Sequence, residues 1–218
     1  MKKILLIGSS IIYQFLNCTI QNYDIINRGV SGLITANLRK INIDSETIIR
    51  TATDSWSGTE RSVVSSQTYD YIFFYCGNND LKKNVDKKEA IRNMKKYLYE
   101  LTQNFTNTHI AVLSLLTSPK NHQLQLIHDI LYINQKMKEI NDFAYIDINN
   151  ELSNQKYYYD DVHLNDDGYH ILCRILDNYV TFVDGILHDE SCNQGKSERS
   201  RDFEITLYSN PAANRIST

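Results

Sequence analysis

Four short segments hold side chains that could act on a substrate. In Gly8-Ser9-Ser10-Ile11, a serine follows an apolar run and precedes residues that can begin a helix. At such a junction backbone N–H groups point outward, and with the helix dipole they stabilise negative charge developing on a substrate oxygen. Serine is also an ordinary helix N-cap, and on this segment alone the cap is the commoner reading. Asn27-Arg28-Gly29-Val30-Ser31-Gly32 closes a second apolar run. A glycine there lets the backbone approach a ligand with no Cβ in the way, or serves a turn that needs positive φ.

The third segment, Gly77-Asn78-Asn79-Asp80, places carboxamides after the most apolar run of the chain. An amide in that position can donate to an oxyanion, and the same residues suit a turn followed by a helix cap. The fourth is Asp160-Asp161-Val162-His163-Leu164-Asn165. A general base needs an imidazole, and the imidazole needs a partner that fixes its tautomer and stabilises its cation. Asp and His three residues apart on a tight loop can form that pair locally. The nearby Asp161, Asp166 and Asp167 raise a metal site as the competing reading. The calcium-loop spacing is not matched, however, and no second histidine stands at metal-ligand spacing, His170 being seven residues on. A solvated acidic cap is the plainer alternative.

The segments share a context. Short apolar runs at Lys3–Ile7, Tyr23–Ile26, Tyr71–Tyr75, Ile110–Leu116 and Phe143–Ile148 read as buried strands. Between them lie helical patterns. Lys87–Phe105 aligns Ala90, Ile91, Met94, Leu98, Leu101 and Phe105. Gln123–Ile140 aligns Leu124, Ile127, Leu131, Met137 and Ile140, and Asp166–Val183 aligns Tyr169, Leu172, Cys173, Leu176 and Val180. Asn165, Asp166 or Asp167 can cap the last of these. Strands alternating with helices predict an α/β fold of three layers, flavodoxin-like, around a central parallel sheet. Sites in such sheets form at the carboxyl ends of the strands, where all four segments fall.

With 218 residues, 42% of them hydrophobic, the chain suits one globular domain, expected over 1–185, with a polar tail at 186–218. Asp44–Gln67 is less regular, with a possible strand at Thr47–Thr51 and a polar loop around Trp56. A net charge of −3 without a basic stripe predicts no nucleic-acid partner and no attraction to an anionic membrane. The four cysteines (Cys18, Cys76, Cys173, Cys192) form no CxxC pair, so reduced thiols in a cytoplasmic protein are expected. The apolar start at Ile4–Ile7 breaks at Gly8-Ser9-Ser10 and lacks a cleavage-site pattern, which argues against a signal peptide.

Taken in order, the four segments resemble the blocks of the SGNH (GDSL-like) hydrolases. Gly8-Ser9-Ser10-Ile11 resembles the Gly-Asp-Ser-Leu block, Asn27-Arg28-Gly29 the glycine block, Gly77-x-Asn79-Asp80 the Gly-x-Asn-Asp block, and Asp160-x-x-His163 the terminal Asp-x-x-His block. The resemblance covers Lys2 to Val183. It implies Ser10 as nucleophile, His163 as base, Asp160 as its orienter, and an oxyanion hole of the Ser10 and Gly29 N–H groups with the Asn79 amide. Ser9 stands where the family has Asp, which leaves Ser9 as the alternative nucleophile, although the place after the strand favours Ser10. Asp161 stands where the family often has Gly. The implied reaction is hydrolysis of short-chain acyl esters, O-acetyl groups on carbohydrates being favoured over long-chain lipids because no long apolar loop offers a lid. No metal or organic cofactor is implied. The alternatives are a carbohydrate O-acyltransferase using the same triad and a catalytically silent binding module.

Overall fold

An unbroken apolar run can be a strand only if both of its faces are covered, and the centre of the sheet is built from runs that meet this condition. β1 (Lys2–Gly8) and β3 (Tyr71–Tyr75) are adjacent and parallel, with Ile4–Ile7 and all of Tyr71–Tyr75 buried. The computed structural model describes residues 1–41, 43, 44, 65–118 and 124–191. Within them, β2 (Tyr23–Gly29), β4 (His109–Leu113) and β5 (Ala144–Ile146) complete a five-stranded, all-parallel sheet of order β2-β1-β3-β4-β5. This is the doubly wound order whose switch point lies between the first and third strands, where the loops diverge to opposite faces and leave a crevice.

The alternation of β3 side chains shows what covers each face. Phe74 meets Tyr97 of α3 (Lys87–Asn104) at 6.0 Å between ring centroids, whereas Phe73 meets Tyr179 of α6 (Asp166–Ser191) at 5.8 Å. α4 (Leu124–Lys138) packs beside α3. The short α1 (Ser10–Tyr13) lies on the α6 side, with Phe15 just beyond it against Tyr169.

Three expectations are corrected. The predicted stripe of α4 was rotated: Leu124 and Leu131 are exposed, and Ile130, Ile133, Asn134 and Met137 are buried. A polar residue inside the stripe hid it. Asn134 takes the Leu115 N–H on Oδ1 (2.7 Å) and donates Nδ2 to the Leu115 carbonyl (2.8 Å), standing in for a ladder partner. The same substitution explains why β4 stops at Leu113. Beyond it, the Leu116 N–H donates to the Tyr75 hydroxyl and the Thr117 N–H to Asn149 Oδ1. Finally, Cys18 and Cys173 form a disulfide, with Cα atoms 5.4 Å apart, in place of the expected free thiols. Spacing could not reveal a pair brought together only by the docking of the α1–β2 connection on α6. Cys76 remains a free, buried thiol, which burial pushes well above its ordinary pKa.

Thr47–Thr51, Trp56, Cys192 and the tail from 192 lie outside the described residues, and α6 carries the fold to Ser191, past the boundary expected at 185.

The far end of α6 is fastened to the amino edge of the sheet. Asp184 accepts hydrogen bonds from Lys2 Nζ (2.9 Å), the Tyr23 hydroxyl (2.6 Å) and the Tyr71 hydroxyl (2.7 Å), residues that open β1, β2 and β3. Burial opposes its charge, but these three donors outweigh burial and hold its carboxyl below the usual 3.8. A depressed carboxyl stabilises the fold above its unfolded pKa and loses that contribution as pH falls through its folded value. Asp184→Asn should therefore cost about 1–2 kcal/mol at pH 7, after allowance for partial solvent screening. The difference from the parent should shrink below about pH 4. Urea unfolding at several pH values checks this, and a pH-independent difference would show that shape, not charge, fastens the helix.

Candidate active site

The serine is set by how closely its segment lies on the sheet. Gly8 and Gly29 are register partners at the carboxyl ends of β1 and β2. A Cβ on Gly29 would sit 2.2 Å from the Tyr13 backbone nitrogen, so only glycine lets α1 cross here. Asn27 secures the crossing by donating Nδ2 to the carbonyls of Ile12 (2.7 Å) and Phe15 (3.0 Å) at the end of this short helix, where the Ile12 carbonyl also takes the Phe15 N–H. Ser9 is buried, its N–H given to the Tyr75 carbonyl. Ser10, the first helical residue, turns its hydroxyl toward the loop ahead of α6.

That loop is organised by one carboxylate. Asp160 Oδ1 accepts the backbone N–H groups of Val162 (2.7 Å) and His163 (2.6 Å), closing a tight Asx turn. Tyr158 and Leu164 flank it as an antiparallel bridge. Oδ2 remains for the imidazole and meets His163 Nδ1 at 2.7 Å, while Nε2 lies 3.1 Å from Ser10 Oγ. Burial would raise the Asp160 pKa, but the bonds from the His163 ring and from the two backbone N–H groups hold it below the ordinary carboxylate value. With Nδ1 donating to an ionised carboxylate, Nε2 is left as the acceptor for the Ser10 hydroxyl. Ser10, Asp160 and His163 thus come together, and it is Ser10, not Ser9, that faces the imidazole. Asp161, the adjacent carboxylate, is exposed. Asn165 starts α6 by accepting the Gly168 N–H and donating to the Lys156 carbonyl. Of the three neighbouring tyrosines, Tyr158 is core, Tyr157 lies under Lys156, and Tyr159 stacks on His163.

The expected oxyanion donors are placed unevenly. Gly77, at φ +139, turns the chain sharply out of β3 and begins α2 (Asn78–Lys82). Asn79 donates Nδ2 to the Leu33 carbonyl at 3.0 Å, which holds the amide and leaves its second N–H to give. Gly29 does not fit the expected role, because its N–H already donates to Asn27 Oδ1 at 2.8 Å. In the same loop Gly32 has φ +74, precedes Leu33, and has an N–H that makes no hydrogen bond to a described residue. The signal for Gly32 was present in Gly29-Val30-Ser31-Gly32, but two glycines three apart could not be ranked without the hydrogen bonds.

Sequence reasoning also missed the tie between Asp80 and Thr35. Asp80, fully buried, accepts the Thr35 N–H (3.0 Å) and hydroxyl (2.6 Å). Burial pushes its carboxyl up despite these donors. Side by side, Asn79 and Asp80 therefore tie the loop after β3 to the loop after β2. Asn79→Ala should lower kcat by roughly 10²–10³. Its melting temperature should fall little, since Asp80 still holds the loop, and kinetics paired with thermal unfolding on the purified variant test this. A collapse in melting temperature with kcat per folded molecule unchanged would reduce Asn79 to a structural tie.

Among known proteins, the chain matches the model of the GDSL-like lipase/acylhydrolase family over residues 8–171. No curated protein matches it. Several solved structures do. One is a Streptococcus pneumonia protein described as a proposed platelet activating factor, with TM-score 0.61 and 23% identity over 82% of this chain and 83% of that one. Another is an acetyl xylan esterase, with TM-score 0.60 and 17% identity over 82% and 99%. A third is a catalytic mutant of an acetylxylan esterase from Geobacillus stearothermophilus, with TM-score 0.56 and 16% identity over 80% and 92%. At these identities the likeness to solved structures is one of fold.

Proposed function

The chain belongs to the GDSL-like lipase/acylhydrolase family, and from that premise we propose that it is a serine esterase acting through an acyl-Ser10 intermediate on short-chain esters, O-acetyl groups on carbohydrates foremost. The observation that carries this reading is the continuous line from Asp160 Oδ2 through the imidazole of His163 to Ser10 Oγ.

Ser10 Oγ attacks the ester carbonyl as His163 Nε2 takes its proton, and Asp160 stabilises the imidazolium. The negative charge that forms on the carbonyl oxygen is met by the second N–H of Asn79, by the N–H of Gly32 and by the N–H of Ser10. The imidazolium returns its proton to the departing alcohol, leaving acyl-Ser10. Water, deprotonated by the same imidazole, then releases the acid and restores the serine. Gly32 takes the place first expected for Gly29, whose job is to seat α1.

The acyl and alcohol parts of the substrate rest on less local grounds. Acetylxylan esterases share the fold, and the sequence offers no long apolar stretch for a lipid-binding lid. The Cys18–Cys173 disulfide supports an oxidising location in place of the cytoplasmic one expected from composition.

A fluorophosphonate probe should label the protein at Ser10, found by peptide mass spectrometry, and an unlabelled protein would be a silent member of the fold. Ser10→Ala should lower kcat on 4-nitrophenyl acetate by roughly 10⁴ or more, whereas Ser9→Ala should retain most activity. Release of acetate from acetylated xylooligosaccharides, against 4-nitrophenyl palmitate as the long-chain comparison, tests the substrate class.

A separate comparison concerns the two adjacent carboxylates. Asp160→Asn should cost roughly 10³ or more in kcat, because an amide cannot stabilise the imidazolium and can favour the wrong tautomer. Asp161→Asn, at an exposed position, should cost less than about tenfold. Equal losses in steady-state kinetics would reverse the assignment of the pair.

A further inference from the structure

One hydrogen bond holds an imidazole at an edge but not in a plane. The Asp160 carboxylate fixes His163 through Nδ1 and leaves the ring free to tilt about that bond, which would swing Nε2 away from Ser10 Oγ. A second constraint is present on the flat face of the imidazole. The ring of Tyr159 lies against it, centroids 5.7 Å apart and planes 13° from parallel, in the range of an offset stack. Tyr159 is itself held. Gln14 Nε2 donates to its hydroxyl at 3.2 Å, and Gln14 Oε1 accepts the Tyr169 hydroxyl at 3.2 Å, which orients the amide. The Tyr159 N–H donates to the His163 carbonyl at 3.2 Å, so backbone and ring are fixed together. Gln14 ends α1, its N–H on the Ser10 carbonyl at 3.0 Å. The clamp therefore runs from the helix that carries the serine, through Gln14 and Tyr159, to the face of the base.

We propose that Tyr159 is a positioning residue for His163, pinned by Gln14 so that the imidazole keeps its plane toward Ser10. This rests on the triad reading given above. Tyr159 is 57% exposed, which separates it from the core tyrosines. Its hydroxyl and one face are already engaged, as a clamp requires. A ring over an imidazolium also attracts the cation that forms when His163 takes the Ser10 proton.

The test uses the full chain with Tyr159→Ala and Tyr159→Phe. Two readouts are needed: kcat and KM on 4-nitrophenyl acetate, and the rate at which a fluorophosphonate labels Ser10. Labelling requires nucleophile, base and oxyanion donors but few substrate contacts. Tyr159→Ala should lower both kcat and the labelling rate roughly 5- to 10-fold, the scale of one aromatic contact, with KM within about twofold. Tyr159→Phe keeps the ring and should restore both to within about threefold of the parent. Thermal unfolding should be little changed, because the ring is exposed. A parent protein that the probe does not label at Ser10 would remove the triad reading itself. A labelled parent with Tyr159→Ala reacting at the same rate would overturn the positioning role alone. A raised KM with kcat and labelling unchanged would make Tyr159 a substrate contact and overturn it too, as would a Tyr159→Phe as slow as Tyr159→Ala.

Discussion

Everything at the candidate site depends on one contact between opposite ends of the chain. Ser10 Oγ and His163 Nε2 are 3.1 Å apart in space and 153 residues apart in sequence. No local preference can make such a contact, since its entropy of closure must be met by packing elsewhere. The fold meets it by placing both residues at the carboxyl edge of one sheet and tying their segments together several times over. Phe15 packs on Tyr169, Gln14 bridges Tyr159 and Tyr169, and Cys18 is bonded to Cys173. At the other edge Asp184 gathers the starts of three strands. α6, at 26 residues about 39 Å long, is thus fixed near both ends. His163 sits just before the helix, and the helix has nowhere to slide.

A second set of ties orders the other side of the crevice. Two of the three donors that would meet an oxyanion come from loops after β2 and β3, which the switch in strand order separates. Asn79 and Asp80 close that gap by reaching across to Leu33 and Thr35. The two neighbours divide the work. Among the described residues Asn79 uses one N–H, on Leu33, whereas Asp80 spends both oxygens on Thr35 and is fully buried. A buried carboxylate is tolerable here because backbone and hydroxyl donors satisfy it, although burial still raises its pKa.

What was legible in the sequence follows from how local each cause is. β3 could be read to the residue because Tyr-Ile-Phe-Phe-Tyr has no other way to hide five large side chains. The contact between Asp160 and His163 could be raised from the sequence beside a solvated acidic cap, since an Asx turn brings residues three apart together without outside help. The face of α4 was misjudged because its buried stripe includes Asn134, whose partner, the Leu115 backbone, lies on another element. Gly29 was given a chemical role because its N–H could not be seen bonded to Asn27, two residues before it. The Gln14–Tyr159–His163 clamp and the Cys18–Cys173 bond were invisible for the same reason: each joins residues from the two ends of the chain, and neither leaves a spacing to recognise.

The disulfide changes what kind of object the chain is. Joining Cys18 to Cys173 turns the intervening sequence, 155 residues in separation, into a covalent ring with two linear arms. β2 to β5 lie inside that ring, and so do Asp160 and His163, while β1 and Ser10 lie on one arm and most of α6 on the other. A protease that cuts the ring once therefore liberates no fragment. The two pieces stay joined through sulfur, still docked by the sheet, and the nick becomes visible as a change in size only after the bond is reduced.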